Sequence, residues 1–174
     1  MYPLSSLLQR GIHSTVPAYP SFTLNVDKMI AIVKDCRMRH TTYGLGAKSR
    51  DLNSYPLDTH AIDCSGFLRY LLCKASGGNL IIPDGSTNQN DWALAQGLKH
   101  YGKANYGNCE NHDGFLRLCF CRASADEPIG HVWLCYNGMT LESHADIGPD
   151  SRPWDTEVLS RIVTDCYVLC HIAD

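Results

Sequence analysis

The sequence predicts an α+β domain in which N-terminal helices pack on a central antiparallel sheet. Apolar residues recur at helical spacing in the first half of the chain, and alternating apolar runs separated by turn residues dominate the second half. The 174 residues suit one domain with a single core. Residues 1–24 contain three prolines and little periodicity, so we predict an N-terminal arm there and one domain over residues 25–174.

The first predicted helix begins after Asn25, whose side chain suits an N-cap, and ends near His40. Its apolar stripe consists of Met29, Ile30 and Val33. Residues 41–62 are rich in polar residues and contain glycine and proline, which predicts a loop.

A second helix is predicted to begin near Cys64 and to end at the glycine pair of residues 77–78. Its apolar face consists of Phe67, Leu68, Leu71 and Leu72. A third helix with weaker periodicity is expected over about residues 88–99, and a loop is expected over residues 101–113.

The second half of the chain has the patterns of strands and turns. The predicted strands are residues 115–121, 131–136, 139–144 and 166–172. Asn137 and Gly138 are typical of a two-residue hairpin turn between the second and third of these strands. A loop is expected over residues 147–155 and a helical turn over residues 157–161.

The composition is that of an ordinary globular domain, with 44% hydrophobic and 19% charged residues. The formal net charge of −3 argues against nucleic acid as a partner, because nucleic acid favours a basic surface. No apolar run is long enough to span a membrane, so no membrane partner is expected. The first ten residues lack the basic leader and long apolar stretch of a signal peptide, so we expect synthesis in the cytoplasm.

The nine cysteines are expected to be reduced thiols, because the sequence has no recognisable secretion signal. Several lie in apolar runs and are expected to act as small core residues. No Cys-x-x-Cys pair occurs, and Cys119 and Cys121 have no neighbours that complete a tetrahedral set. His60 lies close before Cys64, but the residues between them show no clear helical pattern. We therefore expect no metal and no cofactor.

Cys64 is the candidate nucleophile, because its predicted position at a helix N-terminus favours the thiolate. Gly66 allows close backbone approach beside it, and the backbone amide of Cys64 would face a developing oxyanion. A nearby imidazole would take the thiol proton and later give it to the leaving group. The alternative is a buried structural thiol at a helix start.

The sequence Asp-Cys-Ser-Gly-Phe at residues 63–67 precedes the amphipathic helix, and Gly-His-Val at residues 130–132 opens a strand. In this order and spacing, these elements resemble the NlpC-type cell-wall peptidases, which are bacterial and phage relatives of papain. The resemblance extends over about residues 43–144. It implies a papain-like fold in which Cys64 is the nucleophile and His131 is its base.

The resemblance also implies roles for three polar residues near Cys64. Tyr43 matches a tyrosine whose hydroxyl group helps to bind the oxyanion. Asp63 and Ser65 match positions that contact the polar end of the substrate; a helix-start carboxylate and a first-turn hydroxyl are their alternative roles. The segment between Tyr43 and Cys64 is longer than is usual in the family, and the usual glycine pair after the tyrosine is reduced to Gly-Ala at residues 46–47.

The geometry of the predicted hairpin indicates which residues can orient His131. The two-residue turn places Glu142 opposite Trp133 and His144 opposite His131. Because side chains alternate along a strand, Glu142 and His144 share the face of His131, whereas Ser143 points away.

Glu142 is the preferred candidate, because a carboxylate fixes the histidine tautomer and stabilises the imidazolium. Relatives with a glutamate here look similar to Thr-Leu-Glu at residues 140–142. His144 is the second candidate, since the family's orienting residue is usually a histidine on this strand. A one-residue bulge would bring in Ser143 instead, and a solvated strand end is the alternative for both candidates. Arg152, in the following loop, is predicted to bind a substrate carboxylate, with a plain surface arginine as the alternative.

Together with the resemblance, these residues predict a cysteine peptidase or amidase that hydrolyses an amide bond in peptidoglycan stem peptides through an acyl-thioester. The expected partner is the peptidoglycan peptide, which the enzyme would reach after release or by export without a signal peptide. A phage product or an effector injected into rival bacteria fits these features, and an effector would have an immunity protein as a partner. Two other functions stay open: acyl transfer of the transglutaminase kind with the same dyad, and a non-catalytic binding module.

Overall fold

A computed structural model describes residues 22–101, 113–124, 129–145, 147–154 and 162–172. Three helices come first in this part of the chain: α1 (Val26–Met38), α2 (Cys64–Ala75) and α3 (Ser86–Ala95). The strands are β1 (Lys99–Tyr101), β2 (Phe115–Cys121), β3 (His131–Tyr136), β4 (Met139–His144), β5 (Gly148–Asp150) and β6 (Asp165–His171). The predicted combination of helices with an antiparallel sheet is confirmed as an α+β fold.

The six described strands form one antiparallel sheet in the order β1-β6-β2-β3-β4-β5. β6 lies between β1 and β2, and its pairing with β2 shifts register between Leu116 and Arg117. β3 and β4 form the predicted hairpin, and β5 extends the sheet beyond β4.

The main hydrophobic core lies between the helices and one face of the sheet. α2 packs on β3, β4 and α1. Its predicted apolar face is completely buried and consists of Phe67, Leu68, Leu71 and Leu72. Complete burial of one such side chain stabilises the fold by about 1.5–3 kcal/mol. This packing fixes α2, and with it Cys64, relative to the strands that carry the other candidate residues.

A smaller core of thiols and indoles covers the opposite face of the sheet. It includes Cys119, Cys121, Trp133, Cys135, Trp154 and Cys166. The eight cysteines of the described residues are all buried, and the sulfur atoms of Cys119 and Cys166 lie 3.5 Å apart. The cysteines of this core therefore pack as small apolar residues, as predicted.

Asn25 caps α1 as predicted, because its Oδ1 accepts a hydrogen bond of 2.8 Å from the backbone N–H of Lys28. The buried apolar positions that follow are Val26, Met29, Ile32, Val33 and Cys36. Ile30, which belongs to the predicted stripe, is only partly buried at the edge of the core. The buried face therefore lies slightly further around the helix than the sequence pattern indicated.

The β3–β4 hairpin has the predicted turn. Asn137 and Gly138 have φ angles of 47° and 74°, as a type I′ turn requires. The turn pairs Tyr136 with Met139, as predicted, and three residue pairs join the two strands.

Two short strands were not predicted, and the first of them, β1, begins at residue 99, which the sequence placed at the end of the third helix. β1 includes residue 101, the first residue of the predicted loop 101–113, and β5 lies inside the predicted loop 147–155. Each has only three residues, which take strand geometry by pairing with β6 and β4, so no local alternation predicts them. α3 occupies residues 86–95 rather than about 88–99, and its Leu94 is exposed.

Some predicted segments lie outside the described residues. These are residues 1–21 of the arm, most of the loop 101–113 and the helical turn at 157–161. No helix within the described ranges has the length and apolar character needed to cross a membrane.

Candidate active site

Cys64 is the first residue of α2, where the prediction placed it. Asp63 is the N-cap, and its Oδ1 accepts a hydrogen bond of 2.8 Å from the N–H of Gly66. In an α-helix the first N–H groups have no intrahelical acceptor, so those of Cys64 and Ser65 are available to a ligand oxygen. The Cys64 side chain is buried at this end of the helix, where the helix dipole is positive.

His131, the first residue of β3, contacts Cys64. Its Nε2 lies 2.8 Å from Oε2 of Glu142, and the ring makes a hydrogen bond with Cys64. Because the carboxylate takes Nε2, Nδ1 is the nitrogen that remains for the thiol. Burial lowers the pKa of His131, but the hydrogen bonds with Cys64 and Glu142 outweigh it and raise the pKa to about 9. The ring is therefore a strong acceptor for the thiol proton.

Glu142 is completely buried and is held by three side chains. Its Oε1 accepts hydrogen bonds of 2.8 Å from both Thr140 Oγ1 and Arg152 Nε, and its Oε2 lies against His131. Burial raises the pKa of Glu142, but the hydrogen bonds from His131 and Arg152 outweigh it and lower the pKa to about 2. The group beside His131 is thus an ionised carboxylate.

The structure brings Glu142 to His131 and places the other two candidates elsewhere. His144 Nε2 lies 3.8 Å from Oδ2 of Asp150 and has no hydrogen-bond partner among the residues that the structure describes. Ser143 points to the other face of the sheet, as predicted, and its Oγ donates a hydrogen bond of 2.8 Å to the carbonyl oxygen of Ile62. The register of β4 with β3 and with β5 is continuous over the paired residues, so no bulge there brings Ser143 to His131.

The predicted pairs of β3 and β4 hold only near the turn. The ladder between them ends at Leu134 and Leu141, so the predicted pairing of His131 with His144 lies beyond it. Glu142 and His144 instead pair with residues of β5. Glu142 nevertheless reaches His131, because alternation puts both side chains on one face.

Tyr43 lies beside the thiol on a loop next to the start of α2. Its segment runs alongside residues 60–62, with a backbone hydrogen bond of 3.0 Å from the N–H of Ile62 to the carbonyl oxygen of Thr42. The Tyr43 side chain makes a hydrogen bond with Cys64. Burial, together with the nearby Cys64 and Asp63, raises the pKa of Tyr43 to about 12, so the hydroxyl keeps its proton and can donate it.

Asp63 and Ser65 flank Cys64 at the start of α2 and are joined by Lys48, which the sequence did not indicate. Lys48 Nζ lies 2.6 Å from both carboxylate oxygens of Asp63 and 2.7 Å from Ser65 Oγ. The N–H of Gly46 donates to Oδ2 of Asp63 at 3.0 Å. The only sequence signal for Lys48 is its position in the glycine-containing loop that carries Tyr43.

The guanidinium of Arg152 contacts the carboxylate of Glu142 and is not an isolated surface group. Its guanidinium is partly exposed, so one side faces the carboxylate and the other faces solvent. Thr140, which the sequence did not single out, shares the same carboxylate. Thr140 stands two residues before Glu142 on one strand, so strand alternation would have indicated that they share a face.

The site combines a thiol at a helix N-terminus, an imidazole, a buried carboxylate, a phenol and the backbone N–H groups of the first helical turn. These are the parts that nucleophilic acyl chemistry needs. Within the described residues, no group of three or more His, Cys, Asp or Glu side chains is arranged to hold a metal ion.

No protein-family model matches the sequence, and no curated protein matches it. A function for the chain therefore has to be proposed from the geometry around Cys64 and His131 and from the sequence resemblance.

Proposed function

We propose that the chain is a papain-like cysteine peptidase or amidase of the NlpC type that hydrolyses an amide bond in peptidoglycan stem peptides. One observation carries the proposal: Cys64, at the N-terminus of a buried helix, contacts His131, whose other ring nitrogen lies 2.8 Å from the buried carboxylate of Glu142. A structural thiol would have no need of an oriented, basic imidazole beside it.

The first half of the reaction forms an acyl-enzyme. His131 takes the thiol proton, and the sulfur of Cys64 attacks the carbonyl carbon of the amide. The oxyanion that develops faces the N–H of Cys64 and the hydroxyl group of Tyr43, both of which donate hydrogen bonds. When the C–N bond breaks, His131 gives its proton to the leaving amine, and the acyl group stays on sulfur as a thioester.

The second half releases the product. His131 accepts a proton from water, and the resulting hydroxide attacks the thioester carbonyl. The C–S bond breaks, the carboxylic acid leaves, and the proton on His131 returns to the sulfur of Cys64. Glu142 stabilises each imidazolium that forms, and Arg152 and Thr140 hold that carboxylate in place.

The choice of peptidoglycan peptides rests on the resemblance of residues 63–67 and 130–132 to the NlpC-type enzymes. The α+β architecture, with a helix that carries the thiol packed on an antiparallel sheet that carries the histidine, is compatible with the papain-like fold that this family has. We also propose that the enzyme acts on the wall after release or non-classical export, and that an injected effector of this kind would be paired with an immunity protein.

Hydrolysis of purified peptidoglycan fragments, followed by mass spectrometry, tests the proposal. The native protein should release new stem-peptide fragments, and Cys64→Ala should release none. Cys73→Ala is the matched control, since Cys73 is buried on the same helix and its Sγ faces the carbonyl oxygen of Leu52 at 3.8 Å. It should retain the activity of the native protein. The absence of new fragments with the native protein would reject the cell-wall substrate.

An added amine separates hydrolysis from acyl transfer in the same assay. A hydrolase gives the free carboxylic acid as its main product, whereas a transferase gives the amide of the added amine. A predominant amide product would therefore assign the same Cys64 and His131 pair to transfer rather than hydrolysis.

A further inference from the structure

Asp63 creates an electrostatic conflict beside the proposed nucleophile. Its carboxylate is buried and caps α2 through the hydrogen bond of 2.8 Å from Gly66. A carboxylate next to Cys64 disfavours a thiolate, because like charges repel strongly where solvent is excluded. The residue that starts the helix thus opposes the charge that the proposed chemistry requires.

Lys48 supplies the opposite charge at this point. Its Nζ lies 2.6 Å from each oxygen of Asp63, and its side chain is 24% exposed, so the ion pair is largely shielded from water. Asp84 also lies 2.9 Å from this ammonium group, but it is half exposed and solvent screens its charge. At the thiol of Cys64, the opposite charges of Asp63 and Lys48 therefore nearly cancel.

The stem of Lys48 also accounts for the glycine in the first turn of α2. A Cβ atom at residue 66 would lie 2.7 Å from Cδ of Lys48 and 3.1 Å from the carbonyl oxygen of Ala47. Residue 66 must therefore lack a side chain for the lysine to cross the helix at this height. Gly66 and Lys48 are one packing unit, although they are distant in sequence.

We propose that Lys48 is a positioning residue of the site: it holds the loop that carries Tyr43 against α2 and offsets the charge of Asp63 beside Cys64. The inference rests on the proposed thiol chemistry. A backbone contact also holds this loop on Asp63, since the N–H of Gly46 donates a hydrogen bond of 3.0 Å to its Oδ2. Lys48 acts through Asp63 and the loop, and not by contact with substrate.

The test measures the rate at which iodoacetamide alkylates Cys64 at pH 7, by mass spectrometry of the peptide that contains it. Lys48→Met keeps the length of the stem without its charge, and should slow alkylation about tenfold because the Asp63 carboxylate, adjacent to Cys64 in the chain, then has no ion-pair partner at this lysine. Lys74→Met is the matched control, because it removes a partly exposed lysine from the last turn of the same helix, away from Asp63. Its rate should equal that of the native protein.

The double variant Lys48→Met/Asp63→Asn separates charge from structure. It removes both charges, while the asparagine side chain still caps the helix, so its rate should return to within about threefold of the native rate. A purely structural role for Lys48 predicts instead that the double variant is at least as slow as Lys48→Met. Either that result or an unchanged rate in Lys48→Met would overturn the proposal.

Asp63→Asn alone covers the case in which Lys48→Met fails to fold, as judged by circular dichroism. It leaves the Lys48 charge without its buried partner, so alkylation of Cys64 should be faster than in the native protein, and a rate at or below the native rate would overturn the proposal. Tyr43 and His131, the other ionisable side chains at the thiol, are the same in every variant. Alkylation needs no substrate, so inactivity on peptidoglycan would reject the substrate and leave this result standing.

Discussion

Glu142→Gln is the substitution that most directly tests the electrostatics of the site. It keeps the shape of a completely buried side chain and removes the charge that His131 and Arg152 share. The pKa of Glu142 is lowered from 4.5 to about 2, and a shift of this size corresponds to about 3 kcal/mol of folding free energy. Removing one partner of a buried ion pair costs a similar amount, about 3–5 kcal/mol.

The difference in unfolding free energy between the native protein and Glu142→Gln should become smaller as the pH falls. Glu142 has a lower pKa when folded than when unfolded, so its contribution is fully present above pH 4.5 and is lost as the pH falls towards 2. The native protein should therefore exceed Glu142→Gln in unfolding free energy by about 3 kcal/mol at pH 6 and by about half of that at pH 3. His131 is largely protonated in the folded and unfolded states over this range, so it adds little to the change.

Urea denaturation followed by tryptophan fluorescence measures the difference at pH 6, 5, 4 and 3. Asp27→Asn provides the control, because Asp27 is an exposed carboxylate in the first turn of α1 and its removal should cost less than about 1 kcal/mol. A difference between native and Glu142→Gln that is below about 1 kcal/mol at pH 6, or that does not shrink towards pH 3, would refute an ionised, paired Glu142.

Two further predictions concern catalysis. Tyr43→Phe removes a donor to the proposed oxyanion and should lower kcat about 100-fold with little change in KM, as steady-state hydrolysis would show; an unchanged kcat would exclude Tyr43 from the oxyanion site. The rate of hydrolysis should fall as the pH rises through about 9, because His131 must carry a proton for the leaving amine. In Glu142→Gln this alkaline limb should move to lower pH, since one of the hydrogen bonds that raise the pKa of His131 is gone, and an unmoved limb in the pH–rate profile would contradict that coupling.

The sequence predicted well those features that depend on neighbouring residues. The start of α2 follows from Asp63 as a cap before an apolar helical face, and the β3–β4 hairpin follows from its Asn-Gly turn. The contact between His131 and Glu142 could be predicted because the turn fixes which side chains share a face. Each of these predictions needs only short stretches of sequence.

Features that depend on contacts between distant segments were missed. β5 is a strand because it pairs with β4, although Gly-Pro-Asp has the composition of a turn. Lys48 reaches Asp63 because the loop folds back alongside residues 60–62, and no periodicity connects the two positions. Arg152 was predicted to face a substrate carboxylate, and the carboxylate that it contacts in the fold is that of Glu142.

The two buried carboxylates of the site are neutralised to different extents, in a way that matches the proposed charge separation. Lys48 contacts both oxygens of Asp63, the carboxylate beside the thiol, so little negative charge remains to oppose a thiolate. Arg152 takes mainly Oε1 of Glu142, at 2.8 Å, and is 3.4 Å from Oε2, which faces the ring of His131. The negative charge that remains on Glu142 therefore lies at Oε2, where the imidazolium of His131 forms. If instead Asp63 kept its charge and that of Glu142 were neutralised, the neutral thiol and imidazole would be favoured.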